Sequence, residues 1–255
     1  MDRHLSIIIP SYKDPLWVKT VQSLLENAEG DIEIIVVFDG YWPSWELVND
    51  KRVRYLHLGK NRGMRDAINA GVSISKGEFL MRMDEHQIVG KGYDRILTEM
   101  EPNWIVTPRR YFLDPVKWEV MDLPFVDTMD LEIRGGKFTG VDRKRINDLP
   151  IEESRAMQGS CWVTKRSWWD VIGELQTEGY GPLIQDSHEM VFKTWKAGGK
   201  LMVNKNTWHA HKHRSFSRTH NNGTPENPSK DQEGYKYAIE IWGDYFKELQ
   251  KQWSQ

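Results

Sequence analysis

The stretch NRGMRDAINAGVSISKGEFLMRMDEH, residues 61–86, decides the fold. Residues 63–75 carry apolar side chains at helical spacing and predict a helix. Gly77–Met83 (GEFLMRM) follows as an apolar run, typical of a parallel strand that is buried on both faces. This strand ends directly at the polar triplet DEH, residues 84–86. A helix that leads into a buried strand with polar residues at its carboxyl end indicates an α/β sheet with its functional groups at that edge.

Three more buried strands are predicted upstream of this stretch. Residues 5–9 (LSIII) and 32–38 (IEIIVVF) are continuous apolar runs, and Val53–Leu58 is a shorter one. Ser11 follows the first run and Asp39 follows the second. Alternating strands and helices predict a doubly wound, mostly parallel sheet. Since ligands bind beyond the carboxyl ends of such strands, we expect these polar residues and the DEH triplet on one rim.

Composition and motifs exclude several classes of protein. The 255 residues carry 35 Lys and Arg against 37 Asp and Glu, so the charge predicts no strong non-specific attraction to nucleic acid or an anionic membrane. Cys161 is the single cysteine, which excludes an intramolecular disulfide and a thiolate metal cage. Neither the dinucleotide-binding glycine fingerprint nor a Walker A motif is present. With no signal peptide and no membrane span, the sequence predicts a soluble, cytoplasmic protein without an obligate protein partner.

The second half of the chain has weaker patterns. Residues 111–151 contain few periodic segments and are interpreted as an insertion. The elements predicted after it are a strand over residues 157–164, a helix over 186–197, a short strand over 200–203, a mobile loop over 215–230 and an aromatic-striped helix over 235–253.

Two clusters of polar residues indicate a metal site. Asp84 and His86 are two residues apart in an extended segment, so their side chains project to the same side and can share one divalent ion. His209, His211 and His213 alternate after the predicted strand near the C-terminus and are candidate ligands. Asp84, His86 and one of these histidines would form a mixed oxygen and nitrogen site suited to Mn²⁺. The alternatives are a solvated turn with surface histidines, and the zinc site of a hydrolase.

In this order, the segments resemble glycosyltransferase family 2, and more closely the polypeptide N-acetylgalactosaminyltransferases. Residues 6–12 (SIIIPSY) are similar to the family's opening strand, and the DEH triplet is similar to the D-x-H form of its metal motif. Residues 157–164 are similar to the segment beneath the sugars. Residues 186–214 are similar to the family's acidic residue, helix, paired glycines and metal histidine. The resemblance extends over roughly residues 5–110 and 155–214.

The resemblance implies the GT-A fold: an α/β, Rossmann-like, mostly parallel sheet flanked by helices, with an acceptor-side insertion and a C-terminal helix. It also implies one glycosyltransferase domain over residues 1–255. Its parts would be a nucleotide-binding half (1–110), an acceptor and catalytic half (111–214), and a mobile loop with the C-terminal helix (215–255). The implied activity is metal-dependent transfer of a sugar from a nucleotide-diphosphate sugar to a hydroxyl acceptor, UDP being the family's commonest nucleotide.

The family's catalytic positions carry over residue by residue. Counting from the paired glycines places His211 on the metal histidine, and with Asp84 and His86 it would hold Mn²⁺ or Mg²⁺. Many inverting members have Glu-Asp, with the Asp as general base, where this chain has Asp186-Ser187. The absent carboxylate favours a retaining transfer in which Asp186 binds sugar or acceptor hydroxyls, although a shifted loop would let Asp186 act as the base. Asp84 and Asp186 are therefore the predicted catalytic residues.

The donor is expected along the strand ends and beside nearby arginines. Asp39 is a candidate hydrogen-bond acceptor for the base or ribose, or else an ordinary turn aspartate before Gly40. Arginines would bind the diphosphate, and the loop after His211 would order over the donor and exclude water. The predicted donor-binding residues are Pro10, Ser11, Tyr12, Asp39, Arg62, Arg65, Asp84 and Arg214.

No motif specifies the acceptor. A glycan, a protein and a hydroxymethylated DNA base are all compatible with the sequence, and the last would suit a virus-encoded enzyme that acts in a host cytoplasm. Trp104, Arg109, Arg110 and Trp118 would fit a DNA acceptor, or are core and solvated surface. The rival functions are a nucleotidyltransferase or a metal-dependent hydrolase on a similar sheet, and a non-catalytic module that binds a nucleotide sugar.

Overall fold

The structure, a computed structural model, describes residues 3–44, 46–143, 149–181, 184–212 and 229–254, with the backbone alone for residues 3 and 229–232. In the first third of the chain, continuous apolar runs form strands and amphipathic segments form helices, as predicted. These elements are β1 (Arg3–Ser11), α1 (Trp17–Asn27), β2 (Ile32–Asp39), β3 (Val53–Leu58), α2 (Met64–Ile74) and β4 (Gly77–Met83).

Eight more strands and four more helices complete the described fold. Helix α5 and the first part of β12 follow the predicted boundaries closely. These elements are β5 (Gln87–Val89), α3 (Tyr93–Thr98), β6 (Trp104–Asp114), β7 (Glu119–Val120), β8 (Met129–Arg134), β9 (Lys137–Asp142), β10 (Ile151–Glu153), β11 (Cys161–Lys165), α4 (Arg166–Ile172), α5 (Asp186–Lys196), β12 (Lys200–His211) and α6 (Ser229–Trp253).

The central sheet has the strand order β10-β12-β6-β11-β4-β1-β2-β3. Strands β3, β2, β1 and β4 run parallel to one another, and β12 runs parallel to β6. Strand β11 is antiparallel to both of its neighbours, β4 and β6. The predicted α/β class with a mostly parallel sheet is therefore confirmed.

Apolar layers cover both faces of this sheet. Helices α1 and α3 pack on one face, where Trp17 and Tyr93 are fully buried. Helices α2, α4 and α5 pack on the other face around Ile8 and Trp162. A Cβ atom at Gly71 would lie 2.5 Å from Ile8 Cγ2, so α2 packs directly on β1. The loop before α2 is joined to the carboxyl end of β2, where Asp39 accepts hydrogen bonds from the backbone of Arg62 and Gly63.

Residues 111–151 are more regular than their sequence pattern indicates. Strand β6 continues to Asp114, and β8 and β9 form an antiparallel hairpin. The hairpin turn is Gly135-Gly136, both with positive φ, which is a typical two-residue turn. The sequence of β8, MDLEIR, alternates apolar and polar residues, which is typical of a half-buried strand, and this signal was missed. Of its three apolar residues, Met129 and Leu131 are buried.

The C-terminal helix packs on this hairpin. Phe192 of α5 stacks on Trp242 of α6 at 5.2 Å and meets Phe138 of β9 edge-on at 4.7 Å. The predicted helix is present but begins earlier, at Ser229. The rest of the predicted mobile loop, residues 215–228, lies outside the described residues. Within the described ranges, no helix is both long and apolar enough to cross a membrane.

Candidate functional site

A cavity of about 860 Å³ lies beyond the carboxyl ends of β1, β2 and β4. Ser11, Asp39 and Asp84 line it together, because parallel strands bring their carboxyl ends to one edge of the sheet. Hairpin β8–β9 and the first residues of α5 also line the cavity. A cavity of this size, walled partly by the sheet edge and partly by other elements, is large enough for a nucleotide-sized ligand.

Three of the predicted metal ligands converge in this cavity. The ligand atoms of Asp84, His86 and His211 all lie within 4.8 Å of one another. The Nε2 atom of His211 is 3.0 Å from Asp84 Oδ2, and the two imidazole rings are 4.9 Å apart. Strand β12 brings His211 here because it pairs with β5 in the register that places His211 opposite Gln87. The donor set, one carboxylate oxygen and two imidazole nitrogens, fits Mn²⁺.

The other two histidines of the alternating run are placed differently. His209 is buried and bonds through Nδ1 to the Oε1 atom of Gln87, whose Nε2 atom donates to the Ser160 carbonyl at 2.5 Å. Burial, then the nearby charges of His211 and Arg110, hold the pKa of His209 well below its usual value. His213 lies outside the described residues. Among the described histidines of this run, His211 is therefore the one grouped with Asp84 and His86.

Two acidic residues that sequence analysis did not assign support this cluster. Asp14 Oδ2 is 3.2 Å from His86 Nδ1, an arrangement that orients a metal-binding imidazole and leaves coordination to Nε2. Glu85 accepts a hydrogen bond from the backbone N–H of Tyr12 at 3.1 Å and so ties the end of β1 to the DEH triplet. The available signal for Asp14 was its position in the polar segment that follows the first strand.

Arg82 lies beside the predicted metal ligands and keeps Asp84 charged. It is buried in β4, and its Nη2 atom lies 2.7 Å from Asp84 Oδ1. Burial would raise the pKa of Asp84, but the charge of Arg82, followed by the hydrogen bond and charge of His211 and the charge of His86, holds that pKa well below its usual value. Asp84 is thus ionised near neutral pH, as a metal ligand must be. No role was predicted for Arg82, and the available signal was an arginine inside an apolar strand.

The predicted donor-binding residues at the ends of β1 and β2 lie in the cavity. Pro10, Ser11 and Tyr12 line it, and the Ser11 hydroxyl is 2.5 Å from the Tyr41 hydroxyl. Asp39 accepts hydrogen bonds from the backbone N–H groups of Arg62 at 2.6 Å and Gly63 at 2.8 Å. Burial raises the pKa of Asp39, and these two hydrogen bonds oppose that rise. Asp39 therefore shapes the loop before α2 as well as lining the cavity.

The three predicted phosphate-binding arginines have different positions. Arg65 is 1% exposed, and its guanidinium bonds Glu189 and the Ile184 carbonyl, so its position does not fit the expected phosphate contact. Arg62 is half-exposed and pairs with Asp66 at 2.9 Å. Arg214 lies outside the described residues.

The arginines considered for a DNA acceptor have partners within the chain. The guanidinium of Arg109 forms two hydrogen bonds with Asp127, at 2.7 and 2.8 Å, and lies over the ring of Phe125. Arg110 is buried, with an Nη2 atom 4.0 Å from Asp142. Trp104 packs against the core beside α3, and Trp118 lies under Lys19 in a separate cleft. These contacts account for the residues without a nucleic acid.

The first residues of α5 contribute the remaining predicted catalytic group. Asp186 is 7% exposed, lines the cavity, and its Oδ2 atom has no hydrogen-bond partner among the described residues. Ser187 follows it and is also buried at the cavity. A Cβ atom at Gly159 would lie 2.8 Å from Asp186 Oδ2, so the segment before β11 passes directly beside this carboxylate.

His188 makes the stability of the fold dependent on pH. Burial lowers its pKa to about 4 from 6.5, against the opposing charge of Asp186. Between these values the unfolded chain binds a proton that the folded chain does not, so the free energy of unfolding falls as the pH falls. From about pH 7 to about pH 5, we expect His188 to account for a loss of about 2 kcal/mol. Urea unfolding of wild type and His188→Leu at both pH values measures this difference.

The matched control for that experiment is His57→Leu, the same substitution at an exposed position. His209 is protonated in the unfolded chain over the same pH range, so the His188→Leu protein should retain part of the pH dependence. An equal loss of stability on acidification in wild type and His188→Leu would contradict the assignment.

Comparisons with known proteins place the chain among sugar transferases. The sequence model described as glycosyl transferase family 2 matches residues 6–172. Glycosyltransferase GlyG of Streptococcus pneumoniae is 34% identical over 96 residues, which are 35% of this chain and 32% of that protein. A putative polypeptide N-acetylgalactosaminyltransferase 13 of Drosophila melanogaster is 23% identical over 236 residues, which are 80% of this chain and 40% of that protein.

A solved structure shows the same fold. The crystal structure of GalNAc-T7 with UDP, GalNAc and Mn²⁺ matches with a TM-score of 0.78 at 17% identity, over 96% of this chain and 50% of that one. This similarity confirms the predicted GT-A architecture. The chain spans half or less of the length of these three proteins.

Proposed function

This chain belongs to glycosyl transferase family 2, and on that premise we propose that it transfers a sugar from a UDP-sugar to a hydroxyl acceptor, with retention, at the cavity beside Asp84. The observation that carries the proposal is the convergence of Asp84, His86 and His211, the first and the last of which are 127 positions apart in the sequence. Structural support comes from GalNAc-T7, which has the same fold and was solved with UDP, GalNAc and Mn²⁺.

The proposed metal ligands are suited to their role. Asp84 supplies the negative charge, and Asp14 holds His86 in one orientation. A Mn²⁺ or Mg²⁺ ion bound there would neutralise charge on the departing diphosphate. Arg82 balances the charge of Asp84, which keeps this half-buried carboxylate ionised.

Other residues would bind and orient the donor. We place the base and ribose along Pro10, Ser11 and Tyr12, beside the loop that Asp39 holds in shape. The diphosphate would lie near the metal ligands, with Arg214 as its proposed partner from the segment after β12. Preformed walls of this kind hold the reactants in position and exclude water, which suppresses hydrolysis of the donor.

The proposed retention of configuration rests on the residue after Asp186. By the family resemblance, Ser187 takes the position where many inverting members have a basic carboxylate, and it is buried at the cavity. A serine hydroxyl does not deprotonate an acceptor unaided near neutral pH. Asp186, whose Oδ2 atom has no partner among the described residues, would instead bind hydroxyl groups of the sugar or acceptor.

A donor screen tests the proposal. Thermal unfolding is measured with UDP-, GDP-, TDP- and CDP-sugars, each with and without Mn²⁺. We expect stabilisation by UDP-sugars that requires Mn²⁺, of several degrees when the ligand is about 100-fold above its Kd. With the acceptor that supports turnover, NMR of the product should show the donor's anomeric configuration.

Each rival function predicts a different result. Tight zinc binding with no response to any nucleotide would support a metal-dependent hydrolase. Release of pyrophosphate from a nucleoside triphosphate would support a nucleotidyltransferase. Donor binding without transfer to any acceptor or to water would support a binding module.

A further inference from the structure

Buried polar atoms without partners collect where α5 begins and hairpin β8–β9 approaches it. Gln185 Oε1, Asp186 Oδ2 and Thr139 Oγ1 are covered from solvent and have no hydrogen-bond partner in the part of the chain that is described. All three residues line the cavity. Leaving such an atom unpaired costs about 1–3 kcal/mol. A ligand that bonded these atoms would remove that cost.

Gln185 is held in place from two sides. Its Nε2 atom donates a hydrogen bond to the Phe138 carbonyl at 3.1 Å, which joins it to the hairpin strand that carries Thr139. Its backbone has φ 58°, a left-handed conformation that costs a residue other than glycine about 1 kcal/mol. Glycine would make this turn without strain, so the side chain is kept at an energetic cost.

The chemistry of the three atoms selects the ligand. The amide oxygen of Gln185 and the carboxylate oxygen of Asp186 accept hydrogen bonds, and the Thr139 hydroxyl both donates and accepts. A phosphate has no donor for the two acceptors and would be repelled by Asp186. A sugar ring offers several hydroxyl groups that donate and accept, and it carries no charge.

The position of the cluster favours the donor's sugar. Asp186 touches Gly159, and the carbonyl of the next residue, Ser160, accepts a hydrogen bond from the Asp84 N–H at 2.9 Å. One short segment therefore separates this cluster from the proposed metal ligand. A sugar attached to a diphosphate at Asp84 would lie over that segment.

Resting on the proposed function, we infer that Gln185, with Thr139, is a specificity-determining residue that binds a hydroxyl of the transferred sugar. Asp186 was already expected to bind hydroxyl groups. The new element is the wall of the cavity formed by Gln185 and the hairpin. This wall contacts one face of the sugar ring, while the metal site binds the diphosphate.

Calorimetry with Mn²⁺ tests this inference, using UDP, UDP-glucose, UDP-galactose and UDP-N-acetylgalactosamine as ligands. Gln185→Gly removes the amide and leaves a residue that adopts φ 58° easily. Thr139→Val removes the hydroxyl without changing the backbone. Each variant is expected to bind UDP within about 2-fold of wild type and to bind the preferred UDP-sugar about 3- to 10-fold more weakly. The difference between the affinities for UDP-glucose and UDP-galactose should also become smaller than in wild type.

Thr207→Val is the matched control. Thr207 Oγ1 is likewise buried without a partner among the described residues, but Thr207 does not line the cavity, so this variant should bind every ligand as wild type does. Unchanged UDP-sugar affinity in Gln185→Gly, or an equal loss for UDP and the UDP-sugars, would overturn the inference. If the donor affinity is unchanged but the KM for the acceptor rises, the bound hydroxyl belongs to the acceptor, and the inference is overturned as well. If wild type binds no UDP-sugar with Mn²⁺, the proposed function itself fails.

Discussion

We expect the replacement of Asp84 by asparagine to abolish Mn²⁺-dependent donor binding and to lower the rate of sugar transfer by at least about 1,000-fold. Asparagine keeps the shape of the side chain and one oxygen acceptor, but it removes the charge that a divalent ion requires. Asp84 also connects the cluster, because Oδ2 meets His211 and Oδ1 meets Arg82. Its depressed pKa means that the wild-type carboxylate is charged at any assay pH near neutrality.

The measurement is calorimetric titration with Mn²⁺ alone and then with UDP, which reports binding without turnover. Asp14→Asn is the graded comparison: it loosens the orientation of His86 but removes no proposed ligand, so a loss of about 10- to 100-fold in metal affinity is expected. Near-UV circular dichroism checks that both variants remain folded. Mn²⁺ affinity and activity equal to wild type in Asp84→Asn would refute the assigned metal site.

The second large effect is on stability. Arg65→Met should lower the free energy of unfolding by about 3 kcal/mol, because it leaves the carboxylate of Glu189, 1% exposed, without its guanidinium partner. The substitution also removes the hydrogen bonds from Arg65 to the carbonyls of Ile184 and Gln176. Lys193 remains 2.6 Å from Glu189 and keeps the loss at the lower end of the range for broken buried pairs.

Urea unfolding measures this loss against two comparisons. Arg62→Met breaks the exposed pair with Asp66 and should cost no more than about 0.5 kcal/mol. The double variant Arg65→Met, Glu189→Met replaces the buried pair by apolar side chains and should recover most of the stability. A stable Arg65→Met protein that binds UDP poorly would instead return Arg65 to the phosphate-binding role predicted from sequence.

Much of the fold follows from local sequence. Strands β1, β2 and β4 are apolar runs bounded by polar or turn residues, and such runs are stable only when both faces are buried, which requires a parallel sheet between helices. The period of two places Asp84 and His86 on one side of the chain. The hairpin β8–β9 was not predicted, although β8 alternates apolar and polar residues. What the sequence does not show is that its buried side chains pack against α6, far along the chain.

The metal histidine shows the limit of such patterns. The alternation of His209, His211 and His213 left the ligand open, and the choice of His211 came from the family resemblance. In the structure His211 lies beside Asp84 because the pairing of β12 with β5 carries it to the rim. Two residues earlier in the same strand, the side chain of His209 is bonded to the side chain of Gln87.

Only the tertiary structure determined the partners of the remaining polar and charged side chains. Arg65 and Arg62 look equivalent in sequence, yet α2 turns Arg65 inward to Glu189, 124 residues away, and leaves Arg62 in solvent. Asp14 meets His86, and Gln185 meets Phe138, only after the sheet and hairpin have assembled. Local periodicity determines which segments are strands and helices, since each depends on neighbouring residues. The partner of a buried polar group is instead set by packing between distant segments, and no local pattern records that partner.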